Sequence, residues 1–155
     1  MPRSLQAELK QRKPFRSLEQ EAMLGVARTA AILDHATAEV LKPFGLTPTQ
    51  YNALRILRGA EPEGLSRNEV RDRLIARVPD ATRLLDRLVD MGLVVRARQG
   101  DDRRFVHSRI TRHGLDLLHS LDDVVERLHR ERLGHLGERK LRTLIDLLGH
   151  ARHPR

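Results

Sequence analysis

Residues 66–111 read SRNEVRDRLIARVPDATRLLDRLVDMGLVVRARQGDDRRFVHSRIT, and their punctuation divides them into two helices and a hairpin. Ser66-Arg67-Asn68-Glu69 is a capping box, a serine hydroxyl for a free helix amide and a glutamate that can reach back. The short helix it opens carries Val70, Leu74 and Ile75. After a short break, Pro79 opens a second helix, because proline suits the first helical position. Ala81, Leu84, Leu85, Leu88 and Val89 recur at the i, i+3, i+4 spacing of a single apolar face. Gly92 stands where a left-handed glycine ends a helix. Leu93 to Arg98 and Phe105 to Ile110 then alternate as strands. Leu93, Val95 and Ala97 fall on one face of the first, and Val106, Ser108 and Ile110 share a face of the second. The charged turn from Gln99 to Arg104 joins them as a hairpin with a polar tip.

Helix, short helix, turn, amphipathic helix and hairpin in that order make a winged helix-turn-helix. In such a unit the second helix of the pair enters the DNA major groove and offers its first half to base edges. Its back must be apolar and its front polar. Here Pro79, Asp80, Thr82, Arg83, Asp86 and Arg87 stand opposite the leucine stripe. Arg83 can fork onto a guanine, and Thr82 can meet a thymine methyl or a phosphate. Arg87 suits a phosphate, and Asp86 can orient an arginine instead of meeting DNA. Ser66, Arg67 and Asn68 can donate to a phosphate from the start of the preceding helix. Arg98 joins this set at the end of the first strand. At the hairpin tip, Asp102 can hold the guanidinium of Arg103 or Arg104 in a pose that enters the minor groove, about 6 Å wide. Residues 66–112 hold twelve arginines against seven acids, a net +5 within a chain of net +8.

The flanking segments read as helices. Ser17-Leu18-Glu19-Gln20 is a capping box that opens a long helix ending near Lys42-Pro43. Its stripe of Leu18, Ala22, Gly25, Thr29, Ile32 and Ala36 is rich in small residues and suits close packing on another helix. Thr47-Pro48-Thr49-Gln50 opens the next, with Tyr51, Leu54 and Leu57 inside and a stop at Gly59. Thr111 caps a helix reaching about residue 132, with Leu115, Leu118, Leu121, Val125 and Leu128 on its inner face. After a turn bracketed by Gly134 and Gly137, a last helix carries Leu141, Leu144, Ile145 and Leu148. The fold class is therefore mainly α (α+β). It divides into a flexible basic arm over 1–16, a winged helix-turn-helix lobe over 46–111, and a helical dimerisation region from 17–45 and 112–155. The terminal stripes are more than one lobe can cover, so a homodimer is expected, with its two recognition helices about one DNA turn apart.

Composition narrows the function further. The chain has 155 residues, with 25 arginines, 4 lysines and no cysteine. That composition excludes disulfides, zinc ribbons, iron–sulfur clusters and thiol sensing. The apolar runs are too short to cross a bilayer, and no apolar stretch follows the basic N-terminus, so no membrane partner and a cytoplasmic location are expected. There is no glycine-rich phosphate loop and no His-Glu-x-x-His, so neither an enzyme nor a cofactor is expected. Asp116-x-x-His119 and Glu126-x-x-His129 each set an acid and a histidine one turn apart, but two such pairs do not converge into a metal site.

The ordered set from Val78 to Leu88, then Met91-Gly92-Leu93-Val94, Asp102-Arg103-Arg104 and Ile110-Thr111-x-x-Gly114, resembles the MarR family of bacterial transcriptional regulators. Thr47-Pro48-Thr49-Gln50-Tyr51 is similar to the family's lead-in to the helix-turn-helix. Ile75 departs from the pattern, standing where many members carry a glycine. The resemblance spans roughly residues 17–150. It implies a homodimer of intertwined terminal helices on a pseudo-palindromic operator, acting as a repressor or, less often, an activator. It also implies that Arg104 is the minor-groove arginine, that Asp102 orients it, and that Thr82 and Arg83 are among the base readers. Many relatives release DNA when a small aromatic or phenolic effector binds beside the lobe. Ile32, His35, Tyr51 and His113 would line that crevice here. Two other readings compete: a winged-helix protein-interaction module, which would not show salt-sensitive DNA binding, and a metal-responsive regulator, which would respond to zinc and its chelation.

Overall fold

A computed structural model of the chain describes residues 4–98 and 106–153. The fold is mainly helical with one small antiparallel sheet, and it divides into two compact units, Met1–Ala36 and Thr37–Arg155. Among the described residues, no helix is long and apolar enough to cross a membrane.

The first unit holds α1 (Leu5–Glu8) and most of α2 (Leu18–Leu41). The expected loose arm thus contains one helical turn, capped by the Ser4 hydroxyl, which accepts from the Ala7 amide. Leu5 lies 3.8 Å from where a β-carbon on Gly25 would stand, an ordinary contact distance, so α1 packs on α2 beside Gly25. At the start of α2 the Gln20 amide donates to the Ser17 hydroxyl at 3.1 Å. The Gln20 side chain does not close the box on Ser17. It accepts from the Arg16 amide at 2.7 Å, one residue earlier. Leu18, Met23 and Val26 are exposed on this unit.

The second unit is built on α3 (Pro48–Arg58), β1 (Leu65–Ser66), α4 (Arg67–Arg73), α5 (Ala81–Asp90), β2 (Val94–Arg98), β3 (Val106–Ile110), α6 (Arg112–Leu133) and α7 (Gly137–Arg152). Its capping boxes form as the sequence implies. Thr47 and Gln50 close one on α3, and Ser66 and Glu69 close another on α4. The Ser66 hydroxyl accepts from the Glu69 amide, and the Ser66 amide donates to the Glu69 carboxylate; that amide first, then the Ser66 side chain beside it, holds the Glu69 carboxyl below its ordinary range. Thr111 accepts from the Gly114 amide at the head of α6.

Tyr51, Leu54 and Leu57 of α3 are buried in one cluster with Val70 of α4 and Leu85 and Leu88 of α5. Leu118, Leu121 and Val125 of α6 join the same cluster. A two-oxygen ion pair reinforces the junction of α3 and α6: Arg58 donates to both carboxylate oxygens of Asp122, at 3.0 and 3.1 Å. α7 buries none of its residues, and its Ile145 and Leu147 are exposed.

Three expectations are corrected, and one strand is added. The short helix ends at Arg73, before Leu74 and Ile75. Leu74 is extended, and Ile75 points to solvent at 87% exposure while its amide donates to the Asn52 side chain. Pro79 does not open α5. Asp80 is the N-cap, in extended conformation with its carboxylate on the Arg83 amide, and Pro79 precedes it. The first strand begins at Val94, not Leu93: Leu93 and Val94 are buried and Val95 is half exposed. Leu93 is buried because it closes the end of α5. Its amide donates to the Leu88 carbonyl while the Gly92 amide donates to Val89, the paired bonds of a Schellman ending. Finally, the hairpin has a third strand. β1 pairs antiparallel with β3, Leu65 opposite Ser108, giving the sheet order β1-β3-β2.

Candidate nucleic-acid interface

The helix expected to read bases is α5. Its apolar back, Ala81, Leu85 and Leu88, is buried, so its opposite side must face out. Arg83 and Arg87 stand there, both exposed, one helical turn apart, and neither forms an ion pair among the described residues. Two exposed guanidiniums at this spacing can each fork onto a base edge or a phosphate.

The other residues of α5 are partly committed. The Asp80 carboxylate serves the Arg83 amide at 3.0 Å, so its first role is to cap the helix. The Thr82 hydroxyl accepts from Arg67 Nη1 at 3.1 Å across the helix-turn-helix. Arg67 is therefore engaged with α5, and the Ser66 hydroxyl with the Glu69 amide. Asn68 is exposed at the head of α4 and Pro79 is exposed before α5. Asp86 pairs with Arg96 of β2. Arg96 itself went unnoticed in the sequence, and alternation along β2 carries no sign of a partner on another element.

Arg98 is exposed at the end of β2 and, with Arg109, His107 and the Pro62-Glu63 loop, lines a cleft of about 300 Å³. The His107 ring nitrogen Nδ1 lies 3.3 Å from the Glu63 carbonyl and ties that loop to β3. Asp102, Arg103 and Arg104 lie outside the described residues.

The expected effector residues divide between the units. Ile32 and His35 are exposed on α2 in the first. In the second, His113 is exposed near the start of α6, whereas Tyr51 is buried. Burial pushes the Tyr51 phenol above its ordinary value, and the Arg55 guanidinium sits 5.9 Å from its ring centroid. Tyr51 is thus a packing residue of α3. Among the described residues, no group of three or more His, Asp or Glu side chains could hold a metal ion.

The family model described as the MarR family matches residues 44–104, a span that begins ahead of α3 and takes in α3, α4, α5 and β2. A MarR transcription factor of known structure from Planctomyces limnophilus is 43% identical, with 88% of this chain and 98% of that chain covered and a TM-score of 0.67. This chain belongs to the MarR family. It is a winged-helix transcriptional regulator of the MarR type. The Neisseria gonorrhoeae regulator FarR is 27% identical over 87% of this chain and 91% of its own length. A mutant of E. coli MarR, solved in complex with operator DNA, is 28% identical, with 81% and 89% of the two chains covered and a TM-score of 0.74.

Proposed function

We propose that this MarR-family regulator is a sequence-specific repressor that binds a pseudo-palindromic operator as a homodimer. The observation that carries the reading is α5: an apolar back locked into the core and two exposed arginines, one turn apart, whose guanidiniums have no ion-pair partner among the described residues. The E. coli relative bound to operator DNA supports it, because α5 here lies in the family's matched segment. Arg83→Ala is expected to cost about 1–3 kcal/mol of binding free energy and to relax the preference at one base position. Titrating the variant against duplexes that differ at single positions checks this, and an equal small loss on every sequence would remove Arg83 from base reading.

The homodimer is supported by the apolar side chains that each unit leaves uncovered: Leu18, Met23 and Val26 in the first, and Ile145 and Leu147 in the second. Helices from 17–45 and 112–155 would form the dimerisation region, with 46–111 as the DNA-binding lobe. Light scattering is expected to give twice the chain mass of 17.8 kDa. Ile145→Asp combined with Leu147→Asp is expected to shift it toward the single-chain mass, since a buried unpaired charge opposes association. Control by a small aromatic or phenolic effector completes the proposal. With no cysteine in the chain, a thiol trigger is excluded.

A further inference from the structure

Two arginines outside α5 grip one flank of it. Thr82 and Asp86 are four residues apart, so they stand one above the other on the same side of the helix. Thr82 is held by Arg67, the first residue of α4. Asp86 is held by Arg96, in the middle of β2. The neighbouring stripe, Arg83 and Arg87, is left free of acid partners among the described residues. The helix thus has one stripe bonded to its own protein and, next to it, one stripe open to a ligand.

The Asp86–Arg96 pair is a surface pair, its side chains 49% and 41% exposed. Such pairs add little to stability. Its location matters more, because it crosses from the reading helix to the strand that leads to the hairpin tip. An unpaired carboxylate on a DNA-facing helix would repel phosphates, and pairing with Arg96 removes that repulsion. The same bond takes Arg96 away from the phosphates and makes it a strut.

Building on the DNA-binding reading above, we propose that Asp86 and Arg96 form a positioning pair. It fixes the angle of α5 against β2, and so selects which base pairs Arg83 and Arg87 reach. Arg67 steadies the start of the helix through Thr82 in the same way. The pair governs selectivity and makes no contact with DNA.

The test is selection from a pool of randomised DNA duplexes by the full chain, its Arg96→Met and Asp86→Asn variants, and the double variant. The duplex that the unaltered protein enriches is then titrated at several salt concentrations. Thermal melts of all four proteins are expected to coincide, since the pair is exposed. The unaltered protein enriches a motif. Each single variant lowers its preference for that motif over random duplex by about tenfold, and the double variant loses no more than either single, because all three break one bond. The slope of log affinity against log salt stays that of the unaltered protein. A slope shallower by about 0.9 in Arg96→Met, with tighter binding to all sequences in Asp86→Asn, would make Arg96 a phosphate contact and overturn the proposal. Unchanged preference in both single variants would also overturn it. If the unaltered protein enriches no motif, the DNA-reading function itself falls, and this inference falls with it.

Discussion

Leu88→Ala is expected to cost about 2–5 kcal/mol of folding stability, the range for emptying a fully buried leucine site. Leu88 is completely inaccessible, on the inner face of α5, in one cluster with Leu54, Leu57, Val70 and Leu85. These residues come from three helices, so the cavity would have walls on several sides and little freedom to collapse. At roughly 2–4 °C per kcal/mol for a chain of this size, the melting midpoint should fall by about 4–20 °C. Chemical denaturation checks the free energy and calorimetry the midpoint. The contrast with Arg83→Ala is the informative part. The core variant should lose stability and keep its base preference wherever it is folded, whereas the surface variant should lose preference and keep its stability. A loss below about 1 kcal/mol at Leu88 would mean that α5 is not anchored by this cluster.

Gly64→Ala is expected to be nearly as damaging, by about 3 kcal/mol, for a different reason. Gly64 has φ of 75°, a left-handed conformation that costs a residue with a β-carbon about 1–2 kcal/mol. An added β-carbon there would also overlap the Ser108 carbonyl of β3. That oxygen is backbone and cannot swing aside. Relief would require β1 to move from β3 and would disturb the adjoining Ser66 cap of α4. Gly92 supplies the control. Its φ is 71°, but nothing lies within 4 Å of where its β-carbon would stand. Gly92→Ala should therefore show the conformational cost alone. Urea midpoints for the two variants separate the effects, and equal losses would mean that the close approach of Gly64 to β3 carries no weight.

Local chemistry was legible in the sequence, and partnership between distant elements was not. The caps of α3, α4 and α6 were readable because a cap involves residues three apart and leaves its signature in order. Gly92 was readable for the same reason. Ile75 misled because an apolar residue after a helical run reads as more helix. The helix in fact stops when Leu74 turns extended, and the side chain that takes the Ile75 amide belongs to Asn52 in another helix. The two residues of β1 show no period at all and become a strand only through β3. At the candidate site, Arg83 and Arg87 were visible as polar positions opposite a leucine stripe. The engagement of Thr82 by Arg67 and of Asp86 by Arg96 depends on tertiary placement, so the sequence offered candidates for reading DNA without showing which were already bonded.

The central claim is that α5 and its surroundings make this protein a sequence-specific DNA binder. The most direct measurement is a gel-shift titration of the purified protein on its own upstream intergenic DNA and on a shuffled duplex of the same composition. Both are run at two salt concentrations. The account predicts tighter binding to the upstream DNA than to the shuffled control. It also predicts a loss of about 10³–10⁵ in affinity between 50 and 200 mM salt if six to ten phosphates are contacted. Equal, weak binding to both duplexes, unchanged by salt, would contradict it.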